Sequence, residues 1–341
     1  MKIDELMQQQ SYSEMDSEYC DNHNIVMVDN ECQRGPWLSA HGALTMIPVS
    51  SIYSIEKSRL SNLNIFIERT KSLGVVWESS TPVCVKAGHG HIPIWCDGII
   101  SSGFPDIPDS KLVVVFKSMS KVQMKMNKIN GLSDNEKNKN QILMACARID
   151  KLLFVIYSQS SGEYSYHLER LDINLAKSIW NNSSSAVEKK ECPPQLPLVN
   201  GKINDKCSRC EISSICMAPI IPTPTCRTCR HSVFGPNGYL SCGPQNNFHL
   251  NHENIANRHK CGHHRYNAGL IASWASEEFS DDSSNSYKYK NMLNGNSFIN
   301  GDGGYSSYEM NEVHGVKGVE IIGDKNIDKI KNMFSAEIKD R

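Results

Sequence analysis

The chain has 341 residues, enough for one domain of ordinary size plus one or two small modules. Its 36 Lys and Arg stand against 37 Asp and Glu, so no global basicity marks a nucleic-acid partner and any such surface must be local. The first stretch, MKIDELMQQQSYSEMDSEYC, is acidic and polar without an apolar h-region, and nowhere do roughly eighteen apolar residues run together. These features exclude a signal peptide and a membrane-spanning helix as expectations and lead to a soluble, cytoplasmic chain.

In chain order, a polar segment over 1–30 is followed by ECQRGPWLSAHG. SIEKSRLSNLNIFIERTKSLG then places Leu60, Leu63 and Ile67 at three- and four-residue steps, which predicts a helix ending at Gly74. VVWESS, PVCVKAG, HIPIWCDGIIS and KLVVVFKS are short β-branched or aromatic runs separated by Pro, Gly and Ser, and predict consecutive strands of a central sheet. NQILMACARIDKLL predicts a helix, FVIYSQ and EYSYHLERLD predict strands around the turn SSG, and INLAKSIW predicts a further helix. The expected core is α/β and spans 31–181.

NNSSSAVEKKECPPQLP is polar and proline-bearing and is expected to act as a linker into a Cys-rich region, with the linker and first Cys cluster over 182–218. A second Cys module is expected over 219–272. SWASEEFSDDSSNSYKYK then leads into an expected Gly/Asn/Ser-rich tail over 273–341.

The chain holds 13 Cys. In a reducing compartment, clustered thiols more often hold metal than form disulfides. CSRCEISSIC sets Cys207, Cys210 and Cys216 at C-x2-C-x5-C, and three thiolates call for a fourth, with Cys32, Cys20 and Cys192 as candidates. An all-thiolate tetrahedron suits zinc or an iron-sulfur cluster, and spacing alone does not choose between them. Downstream, Cys226, Cys229, Cys242 and Cys261 form a C-x2-C followed by two more Cys across Gly-containing turns, the pattern of a small zinc ribbon or knuckle. His231, His263 and His264 lie among them, but four thiols already fill a tetrahedron.

Asp97 closes the strand HIPIWC and is followed by Gly98, ahead of the strand that ends in Lys117. A carboxylate and a lysine at one end of neighbouring strands suit phosphodiester hydrolysis, the acid holding Mg²⁺ and the lysine orienting the attacking water. Taken alone, the same residues also suit a strand cap, an Asp-Gly turn and a solvated lysine face.

The order HIPIWCDGII, KLVVVFKSMS, NQILMACARIDKLLFVIYS, YSYHLERLD resembles the PD-(D/E)XK nuclease superfamily, in the bacteriophage form related to RecB and to CRISPR-adaptation nucleases with iron-sulfur clusters. The resemblance covers about residues 30 to 310. It implies a restriction-endonuclease-like core with a mixed central sheet, a Cys-rich C-terminal extension and a zinc-ribbon-like module. It also implies metal-dependent cleavage of DNA, exonucleolytic in kind, using Mg²⁺ or Mn²⁺ alongside phage replication or recombination proteins in the host cytoplasm.

On the matching positions Asp97 holds the metal, Lys117 orients the water, and Gln141 and His91 position substrate or metal. Cys32, in the upstream C-x-R-x-x-W element, joins Cys207, Cys210 and Cys216 around a 4Fe-4S cluster or zinc, while Cys226, Cys229, Cys242 and Cys261 hold zinc. The chain departs from the pattern at Val115, where the family has a glutamate, and at Asn62 and Asn64, where relatives place a helix glutamate. Either Glu68 or Glu78 supplies a displaced carboxylate, or the scaffold grips DNA without cutting it, with Lys121, Lys125 and Lys128 contacting phosphates.

Overall fold

The computed structural model describes residues 28–334 and 336, except 30, 43–49, 209, 211, 218–220, 246–247, 251–260, 282, 284 and 314. Cys20 and nearly all of the N-terminal polar segment lie outside the described residues. Among the described residues no helix is long and apolar enough to cross a membrane.

The core begins with α1 (Arg34–Ala40) and the 23-residue α2 (Ser50–Ser72), about 35 Å long at the usual rise. Five short strands follow: β1 (Val76–Ser79), β2 (Val83–Ala87), β3 (Ile92–Cys96), β4 (Gly98–Ser102) and β5 (Leu112–Met119). Then come α3 (Lys121–Asn130), α4 (Asp134–Ala147), β6 (Lys151–Ser158), β7 (Tyr164–Arg170) and α5 (Ile173–Glu188). The central sheet has the order β1-β4-β5-β6-β7. All its pairings are antiparallel except β5 with β6, which run parallel because α3 and α4 form the crossover between them. This is the α/β core with a mixed central sheet expected of a restriction-endonuclease-like protein. The β2–β3 hairpin stands apart as a two-stranded ladder.

Alternation along β5 separates two apolar layers. Leu112, Val114 and Phe116 join Leu63 and Ile67 of α2 on one face, while Val113 and Val115 join Ile142 of α4 and Ile179 of α5 on the other. The apolar runs LVVVF and LLFVI are covered on both sides, as strands flanking a parallel pairing require.

Helix starts are fixed by side chains. Ser120 with Gln123, and Ser133 with Glu136, form reciprocal capping boxes, and Asp172 caps α5 through the Asn174 and Leu175 N–H groups. The Ser133 box starts α4 six residues ahead of the stretch expected to be helical. It ends at Ala147, where Arg148 turns left-handed at φ 56°, so KLL belongs to β6.

Two further stretches differ from expectation. The start of the polar segment read as a linker continues α5 to Glu188, with Ser183, Ser184, Ala186 and Val187 buried. Most of the described residues of the stretch read as a Gly/Asn/Ser-rich tail lie in strands and helices. β11 (Ala275–Asp281), β12 (Ser286–Asn291) and β13 (Ser297–Gly301) make an antiparallel sheet, followed by α9 (Ser307–Asn311), α10 (Gly315–Glu320) and α11 (Lys325–Phe334). Its core is aromatic, with Tyr266, Trp274, Tyr287, Tyr289, Phe298 and Tyr305 buried. Buried asparagines lock its turns: Asn291 Nδ2 donates to the Val319 and Ile322 carbonyls, and Asn300 Oδ1 accepts from the Tyr266 N–H. Asparagine and glycine therefore serve here as turn formers and backbone cross-links.

Between the two cores, α6 (Asp205–Ser208) and α7 (Ser213–Met217) carry the first Cys cluster. β8 (Ser232–Phe234), β9 (Leu240–Cys242) and β10 (Phe248–Leu250) form a small antiparallel sheet in the second, and α8 (Ala268–Ile271) follows.

Candidate functional site

Asp97 occupies the bend between β3 and β4, and its N–H donates to the Val114 carbonyl at 2.8 Å. Gly98 follows for a steric reason, since a Cβ there would lie 2.6 Å from the Ser79 carbonyl and 2.8 Å from the Trp77 ring. The Asp97 side chain is buried and both carboxylate oxygens are engaged. Oδ2 accepts from the Phe116 N–H at 2.7 Å, and Oδ1 accepts from Arg59 Nη1 at 2.6 Å.

Arg59, on α2, is the hub of this cluster. Its Nε donates to Glu56 Oε1 at 2.6 Å, Nη2 lies 2.5 Å from the same oxygen, and Nη1 also donates to the Phe116 carbonyl at 3.0 Å. Burial works against its charge, but Asp97 and Glu56 outweigh burial and hold the guanidinium more firmly protonated than usual. Burial pushes the Asp97 carboxyl up, with Arg59 and the Phe116 N–H pulling the other way.

Lys117 is engaged elsewhere. It shares the face of Val113 and Val115, and its Nζ meets Glu136 Oε1 of α4 at 2.8 Å. Burial raises the Glu136 carboxyl, and Lys117 with Ser133 more than offsets this, so its pKa ends below the usual carboxylate range. Asp97 is thus tied to the α2 layer and Lys117 to the α4 layer, and the two share no ion pair. Val115 is half-buried against the α4-side core, opposite Phe154 of β6.

The other expected residues are dispersed. Gln141 is buried, donating to the Arg170 carbonyl at 3.2 Å and accepting from the Asp172 N–H at 2.7 Å, and so secures the β7–α5 corner. His91 Nε2 lies 2.6 Å from the Gly235 carbonyl and its ring meets Phe234, which joins the core to the second Cys module. Glu68 is exposed beside Lys71, and twelve residues of helix set it about 18 Å along α2 from Glu56. Glu78 pairs with Lys111 at 2.5 Å. The carboxylate beside Asp97 is therefore Glu56, in place of the expected Glu68 or Glu78. Glu56 and Arg59 lie one turn apart in the sequence, but nothing local signals that Arg59 reaches a residue 38 positions later.

In this arrangement the Arg59 guanidinium stands between the Glu56 and Asp97 carboxylates.

Cys32, Cys207, Cys210 and Cys216 line a groove of about 1040 Å³ together with Met119, Val122, Met126 and Glu136. Arg34 Nε donates to Cys216 Sγ at 3.2 Å. Cys192 packs near these thiols against Trp37, and burial pushes its own thiol up to about 12. In the second module Cys226, Cys229, Cys242 and Cys261 line a cavity of about 20 Å³ together with His231, His263 and His264. Burial pushes the Cys229 thiol up to about 11. Among the described residues, no three or more His, Cys, Asp or Glu side chains are drawn to metal-binding distance of one point.

No family model matches the chain, and no curated protein matches it. Among solved structures it is similar to the alkaline exonuclease LHK-Exo from Laribacter hongkongensis, at 16% identity over 39% of this chain and 63% of that one, with a TM-score of 0.30. The match therefore spans less than two thirds of that exonuclease. The complex of LHK-Exo with dAMP matches at 12% identity over 44% and 84% of the two chains, with a TM-score of 0.30. The protein SSO0001 matches at 14% identity over 63% and 96%, with a TM-score of 0.36. Likenesses this slight say nothing of the chemistry at Asp97.

Proposed function

We propose that the protein binds DNA on a nuclease-like α/β scaffold and does not cut it at Asp97. One observation carries this reading: both oxygens of the Asp97 carboxylate, which hydrolysis would need as a metal ligand, are engaged by Arg59 and the Phe116 N–H. Val115 supplies no oxygen, and Lys117 is paired with Glu136. For DNA as partner, the support is the motif order together with Lys121, Lys125 and Lys128. These are exposed along α3 at four- and three-residue steps, one face of the helix.

A second reading is a metal-dependent DNA nuclease, exonucleolytic and phage-type, acting in replication, recombination or repair in the host cytoplasm. What favours it is the presence of two carboxylates, Glu56 and Asp97, around one guanidinium. The two readings separate on labelled single- and double-stranded DNA incubated with Mg²⁺ or Mn²⁺. Retarded but undegraded DNA is expected, in the wild type and equally in Val115→Glu, where Arg59 still holds Asp97. Degradation that disappears in Asp97→Ala would assign the nuclease.

We also infer that Cys226, Cys229, Cys242 and Cys261 take up one zinc ion. Four thiols around a cavity the size of a single small occupant support this. Cys32, Cys207, Cys210 and Cys216 are assigned to a 4Fe-4S cluster or a second zinc, supported by their lining of one groove. Iron and zinc content with the visible spectrum of the purified protein distinguishes the two.

A further inference from the structure

We propose that the outer edge of β7 is the surface through which two copies of this chain associate, their β7 strands pairing antiparallel about a two-fold axis at Leu168 so that the two central sheets become one.

β7 closes the order β1-β4-β5-β6-β7, and among the described residues no strand pairs with its far side. Which of its backbone groups are spare follows from those already used. The Glu163 carbonyl accepts from the Ser158 N–H, and the Leu171 N–H donates to the Asp150 carbonyl, both at 2.9 Å. Alternation between these two bonds turns the N–H and C=O groups of Ser165, His167 and Glu169 towards β6, and those of Tyr166, Leu168 and Arg170 outwards. The Arg170 carbonyl accepts from Gln141 Nε2 at 3.2 Å, whereas the described residues offer no partner to the outward groups of Tyr166 and Leu168. Their side chains are 50% and 39% exposed. An open edge with exposed apolar side chains and no proline is a template for one more strand.

A second β7 is the occupant because the strand is complementary to itself, as a two-fold interface requires. With Leu168 opposite Leu168, the two leucines exchange both backbone hydrogen bonds, and the Arg170 N–H of each copy meets the outward Tyr166 carbonyl of the other. On the α2 face, leucine packs on leucine and Arg170 comes over the ring of Tyr166, whose hydroxyl donates to the Asp106 carboxylate at 2.5 Å. Arg170 is exposed and forms no ion pair with the described residues, so it gains an aromatic face and a carboxylate together. On the α4 face, where Glu169 accepts from Asn140, Glu169 of one copy meets His167 of the other. No like charges oppose each other in this register. A slip of two residues sets His167 against His167 and loses the opposite-charge pair.

The test is sedimentation equilibrium of the full-length chain, freed of nucleic acid and kept in reductant so that neither DNA nor disulfides link the copies. A species of twice 38.2 kDa is expected for the wild type. Because Leu168 meets its own copy, Leu168→Lys and Leu168→Glu each bring like charges together on the axis, and each is expected to sediment as a monomer. Mixed in equal amounts, the two variants are expected to form a dimer again. Circular dichroism checks that both are folded. Should either not fold, Arg170→Glu is measured instead, and is expected to raise the dissociation constant roughly tenfold or more by setting a carboxylate against Asp106. A wild type that stays monomeric overturns the proposal, as does a dimer that a folded Leu168 variant leaves intact, a mixture of the two folded variants that stays monomeric, or an unchanged constant in Arg170→Glu.

Discussion

Burying a guanidinium between two carboxylates stabilises a fold while the guanidinium remains, since removing Arg59 leaves buried carboxylates uncompensated at a cost of about 3 to 5 kcal/mol. Glu56, Arg59 and Asp97 therefore bind α2 to the sheet as well as closing the site. A second buried residue carries a pH signature. His41 stacks on Trp37 with ring centroids 3.8 Å apart and its Nδ1 meets the Trp37 carbonyl at 2.9 Å. Burial pushes its pKa down to about 3, against the Trp37 carbonyl, with Arg227 and His91 adding to the fall. The folded state keeps His41 neutral while the unfolded chain takes up a proton below its ordinary value of 6.5. Stability is thus complete above that value and falls on acidification, at up to about 1.4 kcal/mol per pH unit. Urea midpoints measured between neutral and mildly acidic pH should fall steeply for the wild type and less steeply for His41→Phe. Equal slopes would show that His41 is not the group responsible.

At the scale of elements, α3 carries the surface proposed for DNA. Lys121, Lys125 and Lys128 are exposed beside Val122, Met126 and Ile129, which are also exposed. Replacing the three lysines by Gln should weaken DNA binding without regard to sequence. It should also flatten the dependence of log affinity on log salt by about 0.9 for each duplex phosphate that a lysine no longer neutralises, readable by fluorescence anisotropy over a salt series. An unchanged slope would place the DNA elsewhere. The sequence displayed most strands plainly, because β-branched runs bounded by Pro, Gly and Ser have few other uses. Helix ends were less visible. The Ser133 and Glu136 box starts α4 within a polar stretch, and burial of Ser183 and Ser184 continues α5 through residues whose composition suggests a loop. Local composition misled there because tertiary contacts decided the outcome.

At the scale of the whole molecule, the described residues include an α/β core and an aromatic core built on β11, β12 and β13. The second was hidden in the sequence because its asparagines and glycines read as tail composition, while Tyr287, Tyr289 and Phe298 supply its burial. The site was legible only in part. Asp97 and the strand lysine are present in the expected order, but the sequence does not reveal that α2 delivers Arg59 to one and α4 delivers Glu136 to the other. Such long-range pairings depend on how helices cover the two faces of the sheet. The account as a whole stands on the position of that guanidinium. Its most direct test is a crystal structure of the wild-type protein soaked in Mn²⁺, with anomalous scattering used to locate the metal. The Arg59 side chain should lie between Glu56 and Asp97 with no manganese peak beside it; a manganese ion bound to Asp97 with Arg59 swung aside would contradict the account.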